Sequence, residues 1–115
     1  MKSKKQLILW VLSVLNNESD EHHPITQVKI AEIISKVHPC DRKTVCRNIQ
    51  YLQVMGYPIK KTSKGFYMDG RLFTVEEVRF IQDAILNAPG KSEVEKEMLM
   101  DRVMEVLTTT YRRQK

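Results

Sequence analysis

Residues 41–56, DRKTVCRNIQYLQVMG, read as one complete helix with both ends written into the sequence. Asp41 is a strong N-cap, because its carboxylate accepts from the free N–H groups of the first turn. Gly56 suits the left-handed position just past a helix, and Pro58 stops any continuation. Between them Val45, Ile49 and Leu52 recur at i, i+4 and i+7 and predict one buried stripe. At about 100° per residue, Lys43, Arg47 and Gln50 fall on the opposite side, with Cys46 at its edge. Such groups can read base edges: Arg or Lys pairs with guanine, Gln with adenine. An ordinary amphipathic surface helix would show the same pattern, so the neighbouring segments decide.

On the N-terminal side, residues 27–37 predict a second helix, capped by Thr26, with Ile30, Ile33, Ile34 and Val37 inward. Thr26 and Gln27 sit at its N-terminus, where free N–H groups and the helix dipole favour a phosphate. His38-Pro39-Cys40 breaks the chain before Asp41. Two short helices joined by a tight turn, the second with a cationic outer face, match a helix-turn-helix. A plain helical hairpin fits as well.

On the C-terminal side, the period changes. Residues 59–62 are extended, Ser63-Lys64-Gly65 is a turn, and Phe66-Tyr67-Met68 returns. A hairpin at 57–69, directly after the cationic helix, predicts a wing, with Lys60, Lys61 and Lys64 placed to hold phosphate. Lysines at a hairpin tip also guard ordinary edges against aggregation.

Residues 3–17 predict a first helix capped by Ser3. Leu7, Ile8, Trp10, Val11, Leu12, Val14 and Leu15 leave it little polar surface, so burial around most of its circumference is expected, with the C-terminal helix among its partners. Lys2, Lys4 and Lys5 precede it and can meet phosphate. Residues 16–25 form a polar loop in which Glu18, Asp20 and Glu21 predict an acidic surface patch facing away from nucleic acid.

Beyond Gly70, Thr74-Val75-Glu76-Glu77 and Ser92-Glu93-Val94-Glu95 are two capping boxes that open two further helices. In the first of these, Val78, Ile81 and Ile85 form the stripe, with Phe80 and Ala84 beside it. The last helix could run to Tyr111. It carries two apolar rows: Leu99, Val103 and Val106, and next to them Met100, Met104, Leu107 and Tyr111. One neighbour covers one row, so the second row predicts contact with a second copy of the chain. The expected dimer residues are Met100, Val103, Met104, Leu107 and Tyr111. Both rows could equally be satisfied within one chain.

The global figures agree with a basic binding module. The 115 residues, 42% hydrophobic and 29% charged, suit a small globular chain. Residues 1–64 hold 11 Lys and Arg against 5 Asp and Glu, whereas residues 65–115 hold 8 against 9. All of the net charge of +5 therefore lies with the central helix, and a localised basic surface attracts polyanions. Two cysteines six residues apart form no redox or zinc spacing and fit a reducing cytoplasm. His22, His23 and His38 lack a ligand cluster, so neither metal nor cofactor is expected. The apolar run 7–15 is too short to span a bilayer and has no cleavage site, which argues against export. No nucleophile–base set, phosphate loop or placed carboxylate pair points to an enzyme.

Taken together, the opening KKQLILWVLSVL, then HPITQVKIAEII, then CDRKTVCRNIQYLQVMGYPI and the KGFYM of the hairpin resemble the N-terminal winged-helix domain of bacterial WYL-domain transcriptional regulators. The likeness covers residues 4–69 and continues more loosely into 73–85. It implies that Arg42, Lys43, Thr44 and Arg47 contact DNA, with Lys43 and Arg47 on bases and Arg42 and Thr44 on phosphate. Those regulators usually continue into a WYL domain that senses a ligand, and nothing in these 115 residues resembles it. The expected architecture is mainly α with a small β-hairpin: a winged helix-turn-helix over residues 1–70 and a helical linker and dimerisation arm over 71–115. The expected function is sequence-specific binding of double-stranded DNA as a cytoplasmic, homodimeric transcriptional regulator, most simply a repressor. Two alternatives remain. One is a small winged-helix protein-interaction module of phage or mobile-element type, such as an anti-CRISPR-like inhibitor, with a protein partner. The other is a fragment of a longer ligand-sensing regulator.

Overall fold

The computed structural model describes residues 4–108, with side chains from Gln6 onward. Among them the chain forms α1 (Lys4–Glu18), α2 (Gln27–Ser35), α3 (Arg42–Val54), β1 (Ile59–Thr62), β2 (Gly65–Met68), α4 (Val75–Asn87) and α5 (Glu93–Leu107). The fold is thus mainly helical with one two-stranded antiparallel hairpin, as the periodicities predict.

The core is drawn from residues 7–68. Leu7, Val11, Val14 and Leu15 of α1 meet Ile30, Ala31 and Ile34 of α2, Val45, Ile49 and Leu52 of α3, and Ile59, Phe66 and Met68 of the hairpin. The α3 stripe is sealed, none of its three residues being more than 2% exposed. Burying such a side chain contributes about 1.5–3 kcal/mol, so three of them fix which way α3 faces. Its packing partners are α1, α2 and β1.

Several expectations are corrected. Helix α1 is not enclosed: Gln6, Leu9, Ser13 and Asn17 recur at helical spacing on a solvent-facing strip, and Leu9 is 63% exposed. Helix α5 packs chiefly on α4, while the main partners of α1 are α3, α2 and β2. Helix α2 ends at Ser35, before Val37 could join its inner stripe, and Val37 lies in solvent. Phe80 and Ala84 of α4 also face solvent, while Val78 of the expected stripe is buried and Ile81 and Ile85 are half-buried. The acidic patch loses its central member, since Asp20 is only 4% exposed.

Two tertiary features tie β2 to the segment between α1 and α2. Ile25, in the loop before α2, makes a bridge with Phe66 of β2: the Ile25 N–H donates to the Phe66 carbonyl at 2.7 Å, and the Phe66 N–H to the Ile25 carbonyl at 2.8 Å. The approach is so close that a Cβ on Gly65 would lie 2.6 Å from both C and O of Ile25, and 2.9 Å from Thr26 N. Glycine is required there twice over, for space and for its φ of +138°. At the far end of β2, the Met68 N–H donates to Ser19 Oγ at 2.9 Å, and the Ser19 hydroxyl donates to the Leu15 carbonyl at 2.7 Å.

Asp20 ties this unit to α4. Its Oδ2 accepts from the Val75 N–H at 2.6 Å, in the first turn of α4, and its Oδ1 accepts from the His22 N–H at 2.8 Å. The His23 ring nitrogen Nδ1 lies 2.8 Å from the same Oδ1. Burial pushes the carboxyl's pKa up, but the hydrogen bonds from Val75, His23 and His22 outweigh it and hold the group below the usual carboxylate range. Alongside, Arg71 donates to the carbonyls of Asn16 and Phe73, joining the end of α1 to the approach to α4.

Candidate nucleic-acid interface

Helix α3 is delimited as its sequence dictates. Asp41 Oδ1 accepts from the Thr44 N–H at 2.8 Å, and hydrogen bonds from Thr44 draw the Asp41 carboxyl below its ordinary pKa. At the other end Gly56 takes φ 104° and the Tyr57 N–H returns to the Leu52 carbonyl at 3.0 Å. With Val45, Ile49 and Leu52 facing inward, Arg42, Lys43, Arg47 and Gln50 are exposed, while Thr44 and Cys46 are half-buried at the margins.

The hairpin is positioned against this helix by Gln53, whose side-chain amide donates to the Ile59 carbonyl at 2.9 Å. Within it Lys60 pairs with Tyr67 and Lys61 with Phe66, so the two lysines leave opposite faces of the ribbon. All three lysines of the hairpin are exposed, yet they are not equivalent. Lys61 Nζ stands 5.8 Å from the centroid of the Phe66 ring, a cation–π distance. Lys64 sits in the turn, where its N–H donates to Thr62 Oγ1 at 3.0 Å. Since Gly65 abuts Thr26, that turn lies beside the N-terminus of α2, where Thr26 is exposed and Gln27 half-buried. Thr26 Oγ1 already accepts from the Lys29 N–H at 3.0 Å, so the hydroxyl is committed to capping.

Exposed cations gather on α3 and the hairpin. Among the described residues, Arg42, Lys43, Arg47, Lys60 and Lys64 take part in no ion pair, and neither do Lys36, Lys61, Lys91 and Arg102, whereas Arg79 meets Glu18, Lys29 meets Glu32 and Lys96 meets Glu93. The first five are exposed and held in no close ion pair, although Arg47 lies near enough to Asp41 to help lower that carboxyl's pKa, and exposed cations attract an external anion. The same face also carries groups that reading for charge passed over: Tyr51 is 61% and Val54 86% exposed. Their signal was visible, an aromatic and a β-branched residue at helical spacing from Lys43 and Arg47, off the buried stripe.

The expected dimer residues fare unevenly. Leu107 is 6% exposed and therefore spent within the chain. Met100, Val103 and Met104 are half-buried on an α5 that packs on α4, and Tyr111 lies outside the described residues, as do the side chains of Lys2, Lys4 and Lys5. Val106 of the first row is 63% exposed, and Lys96 fastens α5 to α4 by donating to the Leu86 carbonyl at 2.9 Å near the end of α4.

Among the described residues no group of three or more His, Cys, Asp or Glu side chains is placed to hold a metal ion, and no helix is long and apolar enough to cross a membrane. Compared with protein-family models, curated proteins and solved structures, the chain finds no significant match.

Proposed function

We propose that the chain is a sequence-specific double-stranded DNA-binding regulator, in which α2 and α3 act as a helix-turn-helix and the β1–β2 hairpin as its wing. One observation carries the reading: Lys43, Arg47 and Gln50 stand exposed on the side of α3 opposite its sealed stripe. The Ile25–Phe66 bridge supports it, because it fixes the hairpin beside the start of α2. The residues that carry the likeness to WYL-domain regulators lie in the same segments. In this reading Lys43, Arg47 and Gln50 read base edges in the major groove. Arg42, Thr44, the N-terminus of α2, Lys60 and Lys64 hold phosphate, and Lys61 contributes charge from above Phe66. Residues 1–70 form the DNA-binding domain and residues 71–115 the arm. A second copy meets the arm where α4 leaves Met100, Val103 and Met104 half exposed, and a two-fold dimer reads an inverted repeat about one DNA turn, roughly 34 Å, apart.

Arg47→Ala tests the reading. It is expected to lose ~1–3 kcal/mol on the preferred site and little on random DNA, measured by fluorescence anisotropy at fixed salt. Equal losses on both would make Arg47 a phosphate contact. Lys64→Ala is expected to weaken all sequences alike and to lower the slope of log K against log salt by about 1. An unchanged slope would take the hairpin turn out of the interface. Light scattering tests the arm, with twice the 13.5 kDa chain mass expected.

A further inference from the structure

The outer face of α3 is not uniformly polar. Counting about 100° per residue, Val54 falls about 20° from Lys43 on the helical wheel and Tyr51 about 80° from it. Val54 is 86% exposed and Tyr51 61% exposed, although both lie on a helix whose inner stripe is closed to solvent. The two residues therefore continue the line of Lys43, Arg47 and Gln50 toward the C-terminal end of the helix. We infer that Val54, flanked by Tyr51, reads the 5-methyl group of thymine, so that this end of α3 specifies T and the other end specifies guanine. The inference rests on the DNA-binding reading and deepens it.

In the major groove thymine presents a methyl group that an apolar side chain recognises by contact. An occupant of α3 must suit both ends of one face: cationic and amide groups at Lys43, Arg47 and Gln50, and a bare isopropyl group at Val54. The major-groove edge of DNA offers acceptors and methyl groups side by side, and its phosphates match the unpaired cations around it. Seven residues separate Arg47 from Val54, a rise of about 10 Å, or about three base-pair steps of 3.4 Å. A thymine read by Val54 therefore lies about three base pairs from the guanine read by Arg47, for a helix lying along the groove.

The test uses the full chain and a duplex it enriches from a pool with a randomised centre. Each thymine of the enriched duplex is replaced singly by deoxyuridine, which removes only the methyl group. One position, about three base pairs from the Arg47-sensitive guanine, is expected to bind about four-fold more weakly, the worth of one buried methyl. With Val54→Ala that difference should shrink to near unity while binding elsewhere stays the same, and circular dichroism should show the helix retained. Specific binding in which every uridine exchange is neutral overturns the thymine assignment and leaves the DNA-binding reading standing. Failure to enrich any sequence overturns both, and capture of a protein by the Tyr51–Val54 surface in that case identifies the face as a protein contact.

Discussion

Gly65→Ala is expected to remove ~3 kcal/mol or more of folding stability, a large share of the 5–15 kcal/mol typical of small domains. The added Cβ would stand 2.6 Å from the carbonyl carbon and oxygen of Ile25, and 2.9 Å from Thr26 N. These are backbone atoms and cannot turn aside as a flexible side chain would. The residue would also have to hold φ +138°, a conformation that side-chain-bearing residues resist. Relief requires breaking the Ile25–Phe66 bridge, which would free the hairpin from the start of α2. The control is Gly90→Ala, at φ +99° but with nothing within 4 Å, where only the backbone penalty of ~1–2 kcal/mol applies. Denaturant unfolding of both variants separates the two effects. Equal losses would show that the close approach between loop and hairpin is not a constraint.

Asp20→Ala is the second large effect, at ~3 kcal/mol. The substitution strips the acceptor from the Val75 and His22 N–H groups, and a buried donor left unpaired costs ~1–3 kcal/mol. It also removes the negative charge that faces His23 and the half-buried Arg71. Asp20→Asn keeps one acceptor oxygen and should lose less. The pH dependence has a definite sign. The folded carboxyl lies below its ordinary pKa, so its contribution is present in full above about pH 4 and fades as pH falls through the lowered folded value. The gap in stability between wild type and Asp20→Asn should therefore be largest near neutrality and close in acid. A gap that is constant from pH 7 to pH 2 would mean that the charge is irrelevant. Amide exchange at Val75 should quicken in both variants, since that N–H belongs to the first turn of α4.

What the sequence disclosed follows the range of the interactions involved. Helix α3 was legible to within a residue, because Asp41, the Val45–Ile49–Leu52 stripe and Gly56 are all local signals. The capping boxes of α4 and α5 were read equally well, with both reciprocal hydrogen bonds in place. The hairpin followed from its turn. Features that depend on distant partners were missed. Asp20 looks like one more acid in a polar loop, and only a helix arriving 55 residues later makes it a buried cap. The fit of Gly65 against Ile25 joins segments 40 residues apart, and the hairpin turn alone gave reason enough for a glycine. The apolar rows of α5 were legible only in part: Leu107 is buried and Leu99, Met100, Val103 and Met104 are half-buried, but Val106 of the first row is 63% exposed. On the outward side of α3, the exposure of Lys43, Arg47 and Gln50 was legible from periodicity, while Val54 was passed over because an apolar residue at a helix end reads as packing until its exposure is known.

Whether the outward side of α3 lies against paired bases is settled by amide chemical-shift mapping. Isotope-labelled full-length chain would be titrated with a duplex enriched from fragmented genomic DNA. Large, saturable shifts are expected at Lys43, Arg47 and Gln50, smaller ones at Lys60 and Lys64, and little change along α4. Shifts confined to α4 and α5, or no enriched duplex at low salt, would contradict that contact.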